Sequence, residues 1–261
     1  MKVLIAGAGI GGLTTALMLH ARGIPVQIYE TATEVREAGV GINILPHAIR
    51  ELETLGLLPE LDIVGLRTRR LTYYTRSGQE VWSELRGTYA GHEVPQFSIH
   101  RGRLQNLLYK AVLDRLGPEA VQTGRRLGGF VQQDRGVTAH FANSIDGSTG
   151  VTVRSDVLIC CDGIHSAGRK VFYPNEKSPS WNGVMMWRGA VDWPAWQDSE
   201  SMAIGGGLGG KFVLYPITQA KDGRQLMNWV VNVRVKDPAI SPPPANNWSR
   251  KVSLALVLPH A

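Results

Sequence analysis

The spacing of apolar positions changes several times along the chain, and each change marks an element. Val3 to Ala6 is an unbroken apolar run stopped by Gly7, the pattern of a strand buried on both faces. From Ile10 to Arg22 the apolar positions Leu13, Ala16, Leu17 and Leu19 fall at helical spacing, and Gly23 ends the helix. Val26 to Tyr29 is a second short strand, closed by Glu30. Strand, helix and strand in such quick succession make one βαβ unit, so the sheet starts parallel.

Pro46 to Leu55 has Ile49, Leu52 and Leu55 on one helical face, with Gly56 as the stop. Between Arg69 and Val81 the period falls to two: Leu71, Tyr73 and Thr75 alternate before the turn Arg76-Ser77-Gly78-Gln79. That hairpin breaks the βαβ rhythm. Helical spacing returns from Arg103 to Leu116, and Val121 to Gln133 and Val137 to Ala142 follow as strands. Val157 to Cys161 is predicted as another strand buried on both faces, with a short helix from His165. Beyond about residue 173 the chain turns rich in Trp, Pro and Gly. Val184 onward, Phe212 to Pro216 and Met227 to Val233 are strands of a second, β-rich layer. Asp237 to Asn247 is a Pro-rich loop, and Val252 to Leu258 a short amphipathic piece.

Composition narrows the class. Of 261 residues, 43% are hydrophobic, enough for a real core and too many for a disordered polymer. The formal charge of +6 is scattered, and its densest cluster, Arg67, Arg69 and Arg70, has no interleaved aromatics. It is a charged surface that attracts anionic cofactors and substrates, and no nucleic-acid partner is expected. No run approaches eighteen apolar residues, so no membrane span is expected. The N-terminal apolar stretch is too short for a signal segment. Adjacent Cys160 and Cys161 are expected as small buried residues in a reducing compartment, which places the protein in the cytoplasm. Two cysteines are too few for a metal cage, and no metal site is expected.

The chemistry concentrates in the glycines. Gly7-Ala8-Gly9-Ile10-Gly11-Gly12 is a G-x-G-x-x-G string lying between a strand and a helix. Gly7 permits the tight turn, Gly9 lets a pyrophosphate approach the backbone, and Gly12 lets the helix pack close to the sheet. The helix N-terminus then offers free N–H groups and a positive dipole to the phosphates. Glu30 stands where a carboxylate accepts ribose hydroxyls and repels a 2′-phosphate, so the site suits FAD or NAD rather than NADP.

Three further segments carry a resemblance: Gly39-Val40-Gly41-Ile42-Asn43-Ile44, Ser98-Ile99-His100-Arg101-Gly102-Arg103-Leu104-Gln105, and Cys161-Asp162-Gly163-Ile164-His165-Ser166-Ala167-Gly168-Arg169. With the N-terminal string, they resemble the single-component, FAD-dependent aromatic hydroxylases, the group of p-hydroxybenzoate and salicylate hydroxylases. Phe97 to Gly102, Met186-Trp187-Arg188-Gly189 and Asn228-Trp229-Val230 are most similar to the 5-methylphenazine-1-carboxylate monooxygenase branch. The resemblance implies an α/β fold: a doubly wound, Rossmann-like FAD-binding domain over residues 1–67 and 100–172. A mixed β-sheet substrate domain, incomplete at its C-terminal end, would take residues 68–99 and 173–261. It also implies that Gly7, Gly9, Gly12 and Glu30 hold the ADP half of FAD, and that Arg101 and Gln105 contact the cofactor. Gly41 and Ile42 would approach the flavin ring, and Asp162-Gly163 would form a second fingerprint serving FAD and the passing NADH or NADPH. The implied reaction spends NAD(P)H and O2 to hydroxylate a small aromatic or N-heteroaromatic, phenazine-like molecule through a flavin C4a-hydroperoxide.

No residue is singled out as a catalytic acid or base. His47 follows the flavin-facing segment and is either a substrate neighbour or an ordinary surface histidine; His165 is read as a polar neighbour of a helix cap. Gly205 to Lys211 spells G-x-x-x-x-G-K, but Phe212 stands where a phosphate loop needs Ser or Thr, and a strand follows. It is a decoy. Trp181, Trp187, Trp193 and Trp196 are either β-layer core or the wall of a pocket for a planar ring. The sequence departs from the family in lacking any Gly-Asp dipeptide, the late motif that closes over the flavin. A truncated monooxygenase is therefore one expectation, and an inactive FAD-binding remnant or a non-hydroxylating FAD oxidoreductase the alternative.

Overall fold

Two compact units make up the chain: Met1–Ala38 with Leu52–Glu60 and Arg101–Ser178, and Gly39–Glu51 with Leu61–His100 and Pro179–Ala261. The computed structural model describes residues 1–35, 39–148, 150–177 and 182–234. The expected Pro-rich loop, the amphipathic piece after it and Trp181 lie outside the described residues.

In chain order the elements begin with β1 (Val3–Ala6), α1 (Ile10–His20), β2 (Val26–Tyr29), β3 (Gly41–Ile44) and α2 (Pro46–Thr54). Next come α3 (Leu58–Val64), β4 (Gly65–Arg67), the hairpin β5 (Arg70–Tyr74) and β6 (Glu80–Leu85), β7 (Phe97–His100) and α4 (Arg101–Leu116). Then follow β8 (Val121–Gln122), β9 (Arg125–Gln132), β10 (Val137–Asn143), β11 (Val151–Ser155), β12 (Val157–Cys160) and α5 (Ala167–Phe172). The last four strands are β13 (Val184–Pro194), β14 (Ser201–Gly206), β15 (Gly210–Pro216) and β16 (Arg224–Arg234).

The first unit is built on a parallel sheet in the order β12-β1-β2-β8. All four residues of β1 are buried, as an unbroken apolar run requires. Alternation sends Leu4 and Ala6 to one face, where they pack on Leu127, Ala139 and Phe141 of the antiparallel sheet β11-β10-β9. Tyr29 stacks on Phe141 there, ring centroids 4.3 Å apart. On α1, Leu13, Ala16 and Leu17 are buried, and α1 packs along α4, which buries Leu104, Leu108 and Val112. The predicted strand over 121–133 is in fact two strands in different sheets, broken next to Gly124, whose φ of +69° only glycine adopts at little cost.

One expectation fails in this unit. The strand over 157–161 is not buried on both faces. Among the described residues it is the sheet's edge, paired only with β1, and Val157 is 39% exposed. Cys160 is exposed and Cys161 half-buried, so neither is the buried apolar residue expected. An apolar run reports the solubility of a strand, not how many neighbours it has.

The second unit has a six-stranded sheet in the order β13-β16-β15-β14-β5-β6, antiparallel except where β14 runs parallel to β5. A smaller antiparallel sheet, β3-β7-β4, belongs to the same unit. Phe97 and Ile99 on its central strand are fully buried. Register assigns the faces of the large sheet: Ala190, Asn228 and Tyr215 are directly opposed across β13, β16 and β15, so their side chains share one side. The small sheet meets that side, because a Cβ placed on Gly41 would lie 2.7 Å from Asn228 and from Tyr215. Trp187, Trp193 and Trp229 sit at the alternate positions, on the opposite side, and Trp193 is 54% exposed. Trp187 and Trp229 are half-buried, and none of the three lies on the side that meets Gly41.

Burial pushes the Tyr215 phenol up to about 12, with Arg188 pulling the other way. An unfolded phenol ionises near pH 10. The folded state therefore keeps its full stability below about pH 10 and loses it as pH rises toward 12, by up to about 3 kcal/mol. Thermal melts across that window should show the loss in the wild type, and Tyr215→Phe, which has no proton to release, should lack that component.

Candidate functional site

The centre of the first unit is the turn from β1 into α1. Gly7 has φ +104°, and a Cβ there would overlap the carbonyl of Cys161; a Cβ on Gly12 would overlap the carbonyl of Gly7. Both glycines are therefore demanded by backbone-on-backbone packing. Gly9 and Gly11 differ, since nothing lies within 4 Å of a Cβ built on either. The mouth of the turn is open at the positions where a ligand would approach. Gly9 is the N-cap of α1, makes no side-chain cap bond, and no acid lies in the first turn. The first-turn N–H groups thus have no capping side chain, with the positive end of the helix dipole behind them.

Ala8, fully buried in the middle of the turn, is held on both sides of its backbone. Its N–H donates to Glu30 Oε2 at 2.6 Å, and its carbonyl accepts from Gln105 Nε2 at 2.9 Å. Glu30 Oε1 accepts from the Ala32 N–H at 2.7 Å. Each carboxylate oxygen retains a second lone pair, so Glu30 is fixed in place and still able to accept a ribose hydroxyl. Gln105 was expected to contact the cofactor; the structure gives it the glycine turn as partner.

Arg101 opens α4 and is exposed, with no ion pair among the described residues. The first turn of α4 carries Arg101 and Arg103 and no acid. Cations at a helix N-terminus oppose the dipole by about 0.3–1 kcal/mol each, a cost that a bound anion reverses. The helix starts at Arg101, two residues before the predicted start.

Asp162 follows β12 and closes the site's third side. Its Oδ2 accepts from the N–H groups of Ala167 and Gly168, at 2.7 and 3.2 Å, capping α5. Its Oδ1 is buried without a partner. A carboxylate oxygen so placed lacks a donor, as a ribityl or ribose hydroxyl would be. Gly163 has φ +80° and open space above it. Ser166 caps α5 at the Arg169 N–H, while Arg169 itself pairs with Glu176 at 2.7 Å and is committed to the surface. Although the Cys160 residue is exposed, partial burial of its thiol, then Asp162 and Cys161, push it up to about 11, so it stays protonated at neutral pH.

In the second unit, Gly41 donates its N–H to Asn228 Oδ1 at 2.7 Å, and Ile42 pairs with Ile99. The glycine at position 41 thus has a packing reason, the side chains of Asn228 and Tyr215 beneath it. Asn228 was named in the sequence only as part of a branch signature and was given no role, because its contact with Gly41 spans 187 positions and has no local signal. His47 lines a cavity of about 320 Å³ with His92, Arg50 and Arg86. Both arginines there are already paired, Arg50 with Glu93 and Arg86 with Glu84. The glycine-rich stretch before Lys211 is a hairpin: β14 ends at Gly206, the Gly207 N–H donates to the Gly210 carbonyl, and β15 begins. It is no phosphate loop. Among the described residues no group of His, Cys, Asp and Glu is arranged to hold a metal, and no helix is long and apolar enough to cross a membrane.

These residues fit FAD: an open, uncapped helix N-terminus for the pyrophosphate, a fixed carboxylate for the ribose, and an orphaned carboxylate oxygen. Glu30→Gln removes the charge that fixes Ala8 while keeping the shape. It is expected to weaken FAD binding by about tenfold or more, the worth of a charge-assisted bond, in a flavin-fluorescence titration. Gly9→Ala, whose Cβ meets no protein atom within 4 Å, should still fold, with a melting temperature lowered only by the loss of a favourable N-cap, and bind FAD more weakly.

Comparison with known proteins agrees. Residues 1–237 match the model of the "FAD binding domain" family. Phenazine 1,6-dicarboxylic acid hydroxylase of Lysobacter antibioticus is 39% identical over 262 residues, covering 99% of this chain and 64% of that protein. The 3-amino-4-hydroxybenzoate 2-monooxygenase of Streptomyces cremeus is 28% identical over 229 residues, covering 83% of this chain and 54% of that protein. Among solved structures, Klebsiella pneumoniae HpxO complexed with FAD and uric acid superposes with a TM-score of 0.72 at 25% identity, over 94% of this chain and 58% of that one. The chain spans less than two thirds of the length of each of these relatives. The matched span takes in the glycine turn, Glu30, Arg101, Gln105 and Asp162, and the chain belongs to the FAD-binding domain family.

Proposed function

We propose that this chain is the cofactor-holding and substrate-facing part of a flavin-dependent monooxygenase that uses NAD(P)H and O2 to hydroxylate an aromatic or N-heteroaromatic, phenazine-like small molecule. The observation that carries this reading is the turn from β1 into α1, open at Gly9 and Gly11 and fixed at Ala8 by Glu30 and Gln105. Its neighbourhood in sequence, at 39% identity to a phenazine hydroxylase, supports the substrate class.

FAD, when bound, supplies the hydride acceptance and the oxygen activation, chemistry that no side chain carries. The chain's own residues bind and orient. The N–H groups of the first turn of α1 would hold the pyrophosphate, and Arg101 would offset its charge. Glu30 would accept from the ribose, and Asp162 Oδ1 from a further hydroxyl. Gly41 and Ile42 would present backbone to the ring, with Asn228 fixing Gly41 in position. In this reading the first unit is the FAD-binding domain and the second the substrate domain. No residue is assigned as acid or base.

The 261-residue chain, purified and mixed with FAD, should take up a flavin spectrum. In air it should oxidise NADH or NADPH faster when phenolic or phenazine compounds are added, with a hydroxylated product by mass spectrometry. NAD(P)H oxidation without hydroxylated product would replace this reading by a non-hydroxylating oxidoreductase. A chain that folds but takes up no FAD would make it an inactive remnant.

A further inference from the structure

The two sides of the large sheet differ in charge. Across β13, β15 and β16, the side that carries the tryptophans places Met185, Trp187, Phe212, Leu214, Trp229 and Val231 in register and has no charged residue. The side that meets Gly41 carries all the charge of these strands, with Arg188, Lys211 and Arg234 beside the Asp192–Arg224 ion pair. Cations that served only to keep a sheet edge soluble would have no reason to choose the side facing the proposed flavin-ring segment.

Register lays this side out in rows. In the inner row Ala190, Asn228 and Tyr215 lie beside Gly41. One step out, Arg188, Val230 and Val213 are opposed, with Ile204 beside Val213 on β14. A second step brings Met186, Asn232 and Lys211. Val213, Val230 and Ile204 are half-buried, an apolar strip left partly open. Four residues of strand separate Tyr215 from Lys211, about 13 Å at the usual rise, enough for a fused aromatic system laid flat. Arg188 is exposed and acts electrostatically on Tyr215, so it lies over this side. Neither Arg188 nor Lys211 pairs with a described carboxylate, whereas Arg224 on the same side does. Asn232 Oδ1, in the outer row, is buried without a hydrogen-bond partner.

We propose that Arg188, assisted by Lys211, is a specificity-determining residue that recognises the carboxylate of a planar aromatic substrate resting on Val213, Val230 and Ile204. A guanidinium offers paired donors to both carboxylate oxygens, and the apolar strip takes the ring face. The inference rests on the monooxygenase reading for its substrate class and adds to it the residues that select acids over neutral rings.

The test is equilibrium dialysis of the 261-residue chain against phenazine-1-carboxylate and phenazine-1-carboxamide, which share a ring and differ in charge. The wild type should bind the acid about tenfold more tightly than the amide, as a charge-assisted contact on a partly exposed surface provides. Arg188→Gln should remove most of that ratio and leave the amide affinity unchanged. Arg188→Lys should restore part of it, and Lys211→Gln should lower it less. An unchanged acid-to-amide ratio in Arg188→Gln, with both ligands still bound, overturns the assignment and leaves the monooxygenase reading standing. Equal loss of acid and amide would make Arg188 a structural residue and overturn it too. A wild type that takes up FAD yet binds neither phenazine removes the substrate class and this inference together.

Discussion

The first unit hangs on the backbone of one residue. Ala8 sits at the exit of β1, where its N–H is taken by the Glu30 carboxylate that follows β2 and its carbonyl by the Gln105 carboxamide from the first turns of α4. A buried backbone group without partners costs about 1–3 kcal/mol, and a charged acceptor repays it about twice over compared with a neutral one. Gly7 passes so close to the Cys161 carbonyl, and Gly12 so close to the Gly7 carbonyl, that no other residue type fits at either. Strand, helix and turn are thereby located to within a hydrogen bond before any ligand arrives, so binding need not order them.

The second unit uses a sheet in place of a turn. Its strands separate two environments by alternation alone: an aromatic side without charge, and a side where amides, a buried phenol and cations collect. Asn228 joins that second side to Gly41 through a single 2.7 Å hydrogen bond. Both units therefore position a proposed cofactor contact through a side-chain amide or carboxylate that grips a backbone group, with glycine supplying the clearance.

Much of this was legible in the residues. Val3–Ala6, the Ile10 helix and Val26–Tyr29 announce themselves by period and by glycine, because each is a local pattern. The hairpin at Arg76 to Gln79 and the false phosphate loop before Lys211 were also legible, since turn chemistry is local. What stayed hidden was which strands become neighbours. Val157 to Cys160 is as apolar as Val3 to Ala6, yet one is the sheet's edge and the other its centre, and nothing within either run distinguishes them. The short strands Gly41–Ile44 and Phe97–His100 were read as motif and not as sheet, for their pairing spans more than fifty residues. For the same reason the hydrogen bond of Gln105 to Ala8 and the ion pair of Arg169 with Glu176 could not be read from the sequence.

The pairing of β1 with β12 joins Val3 to Val157, and that of β2 with β8 joins Ile28 to Val121. A chain emerging from the ribosome exposes the glycine turn more than 150 residues before its far wall. Contacts of such long sequence separation form late, because loop closure must precede the gain from pairing. The glycine turn is thus made long before it becomes a pocket, and until residue 160 is made the β1 strand has an unsatisfied edge. A chaperone that shelters the first thirty residues would be protecting, in effect, the cofactor site.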